Sequence, residues 1–115
     1  MSGEDVNQRI NSEKLTPLHL AVHHGAETIC MILLKQKASP NAQDIHGMTP
    51  VHYVAARAQH FSNRNYYKIY ERILENLVNF GARFDIAAKD GSVPFLIAQK
   101  SDDKDLVQIF HRQMQ

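Results

Sequence analysis

The sequence predicts an all-α solenoid of stacked helix–turn–helix units with hairpin-like excursions between them. Three observations carry that expectation. The hexapeptide TPLHLA at 16–21 returns as TPVHYVA at 49–55, with Thr16 and Thr49 separated by 33 residues. A degraded third copy, SVPFLIA, occupies 92–98. Between the copies, short apolar segments alternate with stretches rich in turn formers, and a unit of that length cannot bury its apolar face alone.

The elements follow in order. Thr16 is placed to cap a helix and Pro17 to open it, where a missing N–H costs nothing. That helix runs to about His24 and breaks at Gly25. A second helix, about 28–36, places Ile29, Ile32 and Leu33 at helical spacing, so one face is apolar. ASPNAQDIHG then supplies an excursion with a tight turn at His46 and Gly47, and the unit restarts at Thr49. From Gly47 to Gly81 is 34 residues, against 23 between the matching Lys14 and Lys37, an excess of 11. The surplus falls in ARAQHFSNRNYYKIYERI and is close to three helical turns. Both helices of the second pair are therefore expected to lengthen. The later one should start near Asn65 after a turn at Phe61, Ser62 and Asn63, and continue an apolar stripe through Ile69, Tyr70, Ile73, Leu74 and Leu77. SDDKDLVQIFHRQMQ closes the chain as a helix with Leu106, Val107, Ile109 and Phe110 on its buried side. Asp102 and Asp103 suit the positive end of its dipole.

These residues resemble ankyrin repeats. Thr16, Pro17, Leu18, His19, Leu20, Ala21, Gly25, Leu33, Leu34, Ala38 and Asn41 carry the likeness in the first unit. Asp44, Gly47, Thr49, Pro50, His52, Ala55, Leu77, Gly81 and Ala82 carry it in the second. The third is partial: Gly91, Pro94 and Ala98 fit, while Val93 stands at the threonine and Leu96 at the histidine. The resemblance implies one domain over 1–115. Residues 1–10 would be the end of a preceding repeat or an N-terminal arm, 11–43 repeat one, 44–87 the lengthened repeat two, and 88–115 repeat three with its cap helix. The segment GEDVN at 3–7 resembles the close of an earlier repeat, which favours an array longer than this sequence.

Bulk properties bound the function. A chain of 115 residues with 43% hydrophobic and 22% charged residues is ordinary for a folded domain. A net charge of +1 gives no reason to expect nucleic acid or a membrane surface. The longest apolar run, Ile29 to Leu34, is too short to span a bilayer. The single cysteine, Cys30, fits an intracellular setting, cytoplasmic or nuclear. No phosphate loop, nucleophile elbow or zinc-protease motif occurs, so neither an enzyme nor a cofactor is expected. His19 and His23 are four apart, but a zinc site needs further ligands at recognisable spacing. The resemblance instead gives His19 and His52 structural bonds to the repeat threonine and nearby backbone.

What the resemblance leaves is recognition of another protein across a concave groove. Its surface positions fall on Ser12, Glu13 and Leu15 with His23 and His24, and then on Ile45, His46 and Met48 with Ala56 and Arg57. The third set is Lys89, Asp90 and Ser92 with Lys100 and Ser101. The lengthened repeat adds Phe61, Arg64, Tyr66, Tyr67 and Lys68, aromatic and basic types that dominate interface hot spots. Tyr67 is expected to point away from the core and Tyr70 into it. The candidate partner-binding residues are thus Glu13, His23, His24, Ile45, His46, Met48, Arg57, Phe61, Arg64, Tyr66, Tyr67 and Lys68. The alternative is a homodimer paired through the aromatic helices of the second repeat.

Overall fold

Residues 6–58, 64–101 and 103–114 are described by the structure, a computed structural model. Among them six helices follow in order: α1 (Pro17–His23), α2 (Glu27–Lys35), α3 (Pro50–Ala58), α4 (Arg64–Asn79), α5 (Pro94–Lys100) and α6 (Lys104–Met114). They form two layers. The inner helices α1, α3 and α5 pack in succession, as do the outer helices α2, α4 and α6, and each outer helix lies on its inner partner. Among the described residues there is no strand.

The helix starts obey the sequence. Thr16 is extended and forms a capping box with His19, and Pro17 takes the first helical position. At α5, Val93 holds the cap position without any side-chain bond, the consequence of losing the threonine. Asp103 caps α6: its Oδ1 accepts from the amides of Asp105 and Leu106 at 3.1 and 3.2 Å.

The core runs between the layers. Leu18, Val22, Cys30 and Leu34 of the first pair meet Val51, Val54, Tyr70, Ile73, Leu74 and Leu77 of the second, and Ala98, Leu106 and Phe110 of the third. The expected α4 stripe is therefore the buried one, and Ile69 is packed against it. Among the described residues, both helices of the second pair are longer than those of the first. α4 has 16 residues against nine in α2, while α3 has nine against seven in α1. The turn expected at Phe61, Ser62 and Asn63 lies outside the described residues.

The apolar face of α2 is only partly covered. Cys30 and Leu34 are buried, whereas Ile29 and Ile32 are 54% and 49% exposed and Leu33 is half-buried. Leu33 sits near the boundary, and the two isoleucines lie on a side with no described helix over it. Helical spacing identifies apolar positions, but it cannot say whether a neighbour exists to cover each of them.

Candidate protein-binding groove

The groove begins with two histidines. The Thr16 amide donates to His19 Nδ1 at 3.2 Å, and His19 Nε2 lies 2.9 Å from the Met48 carbonyl. An amide can only donate and a carbonyl can only accept. His19 is therefore the neutral tautomer with its proton on Nε2. His52 repeats the arrangement, with the Thr49 amide at 3.0 Å and the Ser92 carbonyl at 2.8 Å. Each ring thus ties its own helix start to the following excursion. Burial pushes both imidazoles below their ordinary pKa, against the opposing pull of those carbonyls.

The excursion tips are laced to one another by backbone. Ile45 N donates to Glu13 O at 2.8 Å, and Lys89 N donates to His46 O at 2.9 Å. Asp44 organises the middle tip. Its Oδ1 accepts from the amides of His46 and Met48, both at 2.9 Å, and its Oδ2 from the Tyr53 hydroxyl at 2.6 Å. Burial pushes the Asp44 carboxyl up, but the Tyr53 hydroxyl and the two amides outweigh it and hold it below the usual range. Burial and that same carboxylate push the Tyr53 phenol up. Gly47 turns at φ +77, and a Cβ there would stand 2.9 Å from the Lys89 nitrogen. Only glycine meets both demands.

Between the first two tips and helices α1 and α3 lies a cavity of about 360 Å³. Leu15, Leu20, Met48 and Ala56 supply apolar walls, with Asp44 and Tyr53 beside them and Glu13, His23, His46 and Arg57 as polar lining. Five candidate residues meet here: Glu13, His23, His46, Met48 and Arg57. Arg57 Nε donates to the His23 carbonyl at 3.1 Å, placing a cation at the end of α1, where the dipole favours one. The Tyr70 hydroxyl donates to the adjacent Val22 carbonyl at 3.1 Å. Burial, then the charges of Arg57 and His24, push His23 down. Leu15 is buried and forms a wall rather than an exposed tip residue. Leu20 and Tyr53 belong to the site without having been singled out. Both sit on the inner helices at positions following Thr16 and Thr49, so the repeat register held the signal.

Two candidates stand apart from that cavity. The exposed His24 ring meets His23 edge-on at 5.1 Å. Ile45, 36% exposed, lines a broader cleft beside Arg9, Lys14 and Lys89.

A second surface gathers Tyr67 and Lys68 with Glu71, Lys104, Asp105 and Arg112, around a cavity of about 440 Å³ between α4 and α6. Tyr67 is half-buried rather than projecting freely, and its hydroxyl donates to Asp103 Oδ2. Burial and that carboxylate raise its pKa to about 12. Tyr67 braces α4 against the start of α6, a contact 36 residues long that no local pattern announces. Phe61 and the side chains of Arg64 and Tyr66 lie outside the described residues.

Among the described residues, no group of three or more His, Cys, Asp or Glu could hold a metal ion. No described helix is long and apolar enough to cross a membrane. Cys30 is buried, and burial raises its thiol to about 12, which leaves no thiolate for nucleophilic chemistry near neutrality.

Comparison with known proteins agrees with the architecture. Human Rabankyrin-5 is 51% identical over 45 residues, 39% of this chain and 4% of that protein. The zebrafish E3 ubiquitin-protein ligase HACE1 is 43% identical over 47 residues, 41% of this chain and 5% of that protein. The matched stretches are thus small parts of much larger relatives. Ankyrin repeats bind other proteins and are typically non-catalytic. The family profile described as ankyrin repeats in three copies matches residues 1–83. The chain belongs to the ankyrin-repeat family.

Proposed function

We propose that this domain recognises a segment of another protein in the groove between the first two tips and helices α1 and α3. One observation carries the reading: Glu13, His23, His46, Met48 and Arg57, from two tips and two inner helices, line a single apolar-walled cavity. An apolar side chain of the partner would enter between Leu20, Met48 and Ala56. The partner backbone would run past Glu13 and His46, whose tips are fixed by the ladder through Ile45 and Lys89. A preformed site of this kind loses little conformational entropy on binding. The domain would act as a scaffold, adaptor or inhibitor in an intracellular setting, and the chemistry belongs to its partner. The homodimer reading has weaker support, because the Tyr67 hydroxyl is already bonded to Asp103 and Tyr70 is buried.

The test is capture of a partner by the intact chain, by a Met48→Asp variant and by a Lys68→Glu variant, with helical circular dichroism as the control. The groove reading expects capture to fail with Met48→Asp and survive with Lys68→Glu. The opposite pattern would move the site to the α4/α6 surface. Self-capture alone would favour the dimer.

A further inference from the structure

The excursion tips gather cations around one exposed apolar side chain. Arg9 and Lys14 of the first tip and Lys89 of the third line a cleft of about 830 Å³, with Gln43 and Ile45 of the middle tip between them. Its lining shares only Asp44 with that of the groove cavity. Arg9, Lys14, Lys89 and Ile45 are all exposed. Among the described residues the ion pairs join Arg72 to Glu27, Arg83 to Asp85 and Arg112 to Glu71, so none of them uses a cation of the cleft. Asp44 is the one carboxylate in the lining, and its oxygens already accept from two amides and the Tyr53 hydroxyl. The other acids of the tips, Glu13 and Asp90, line the cavities that flank Met48 instead.

Arg9 is anchored rather than loose. Its Nη1 donates to Lys14 O at 2.9 Å and to Gln43 O at 2.7 Å, which uses both hydrogens of that nitrogen. The Nε and Nη2 hydrogens lie along the other edge of the guanidinium and have no partner among the described residues. That edge fits a carboxylate through two parallel hydrogen bonds. Backbone holds the rest of the cleft in place. Ile45 N donates to Glu13 O and Lys89 N to His46 O. The Gln43 amide group reaches Gly47 O at 3.0 Å and Ala87 O at 3.4 Å. Binding here orders side chains but no backbone, which keeps its entropic cost low.

The lining also says which kind of anion fits. Single-stranded nucleic acid is held by bases stacked on aromatic rings, and this cleft has no aromatic residue. A net charge of +1 supplies no general field for a polyanion either. An acidic stretch of polypeptide offers carboxylates for the cations and an aliphatic side chain for Ile45. We infer that this cleft docks an acidic segment of another protein. One carboxylate sits on the Nε/Nη2 edge of Arg9, its neighbours face Lys14 and Lys89, and an aliphatic side chain covers Ile45. The inference is independent of what the groove binds.

The test titrates the full chain with the fluorescein-labelled peptide Glu-Glu-Asp-Leu-Asp-Glu-Glu and its neutral counterpart Gln-Gln-Asn-Leu-Asn-Gln-Gln, read by fluorescence polarisation. Saturable binding of the acidic peptide alone is expected, weakening as salt rises from about 50 to 300 mM. Lys14→Glu combined with Lys89→Glu should lower the affinity about tenfold. Arg9→Lys keeps the charge but loses the fork, and should cost about threefold. Lys35→Glu combined with Lys104→Glu, on the outer helices, changes the net charge equally and should stay within about twofold of the parent. Helical circular dichroism confirms that each variant folds. Absence of saturable binding, equal binding of the neutral peptide, or equal losses from the two charge-reversed pairs would overturn the inference. So would tighter binding of a short oligothymidylate strand, since nucleic acid would then be the occupant.

Discussion

The tip and inner helix at residues 10–24 and those at 44–58 share one wiring plan but use different residues to carry it. In both, a threonine amide meets a histidine, and that histidine reaches the carbonyl of the next excursion. The turns differ. Gly47 holds φ +77 in the second, where Lys14 holds φ +59 in the first. The outer helices repeat this difference at their ends, with Gly81 at φ +100 and Lys37 at φ +73. The wiring through the buried histidines is kept, while a left-handed residue is negotiable wherever backbone does not press on it.

The largest expected effect removes a shared element. His52→Ala strips a partner from the Thr49 amide and the Ser92 carbonyl and leaves a void, at a cost of about 3–4 kcal/mol. His19→Ala should cost a similar amount, and urea denaturation of the two variants compares them directly. A cost below about 0.5 kcal/mol for either would break the equivalence.

Gly47→Ala comes next, at about 2–3 kcal/mol, because it adds left-handed strain to a contact with the Lys89 backbone. Lys14→Ala, which changes neither demand, should move the urea midpoint little.

Acid should act on both units together. The folded pKa of each histidine is lowered, so the unfolded chain binds protons more readily below about pH 6.5. Their contribution is complete above that pH and is lost as the pH falls, by up to about 1.4 kcal/mol per pH unit for each histidine, until the folded rings also titrate. Stability curves of the parent and of His52→Gln would show the slope reduced by one proton.

The smallest effect has the opposite sign. Lys37→Gly relieves the left-handed cost and gives back part of it as unfolded-chain entropy, for a net gain of about 0.5 kcal/mol. A loss of stability would mean that the Lys37 side chain contributes more than its backbone costs.

The repeat interval and the threonine–proline starts were legible in the sequence because each is a short local pattern repeated in phase; the resemblance implied the histidine–threonine bonds, while the reach of each histidine to the next excursion, 29 and 40 residues on, is not a local signal. The buried stripe of α4 was legible for the same reason. The sides of α2 were not: Ile29 and Ile73 look alike in a helical projection, and only the presence of a neighbour separates them. Of the candidate partner-binding residues, five line the cavity between the first two tips. The cavity walls Leu20 and Tyr53 were missed, and Leu15 was expected at a tip rather than buried, because these roles depend on adjoining elements. Tyr67 was read as projecting because its partner, Asp103, comes from a different helix pair.

The most direct measurement of the central claim places a photo-crosslinking residue at Met48 in one chain and at Lys35, on the outer layer, in another, each exposed to the same extract. A partner held in the groove predicts one discrete adduct from Met48 that is absent from Lys35 and suppressed by Arg57→Glu. An adduct formed equally from both positions, or from Lys35 alone, would contradict a groove-bound partner.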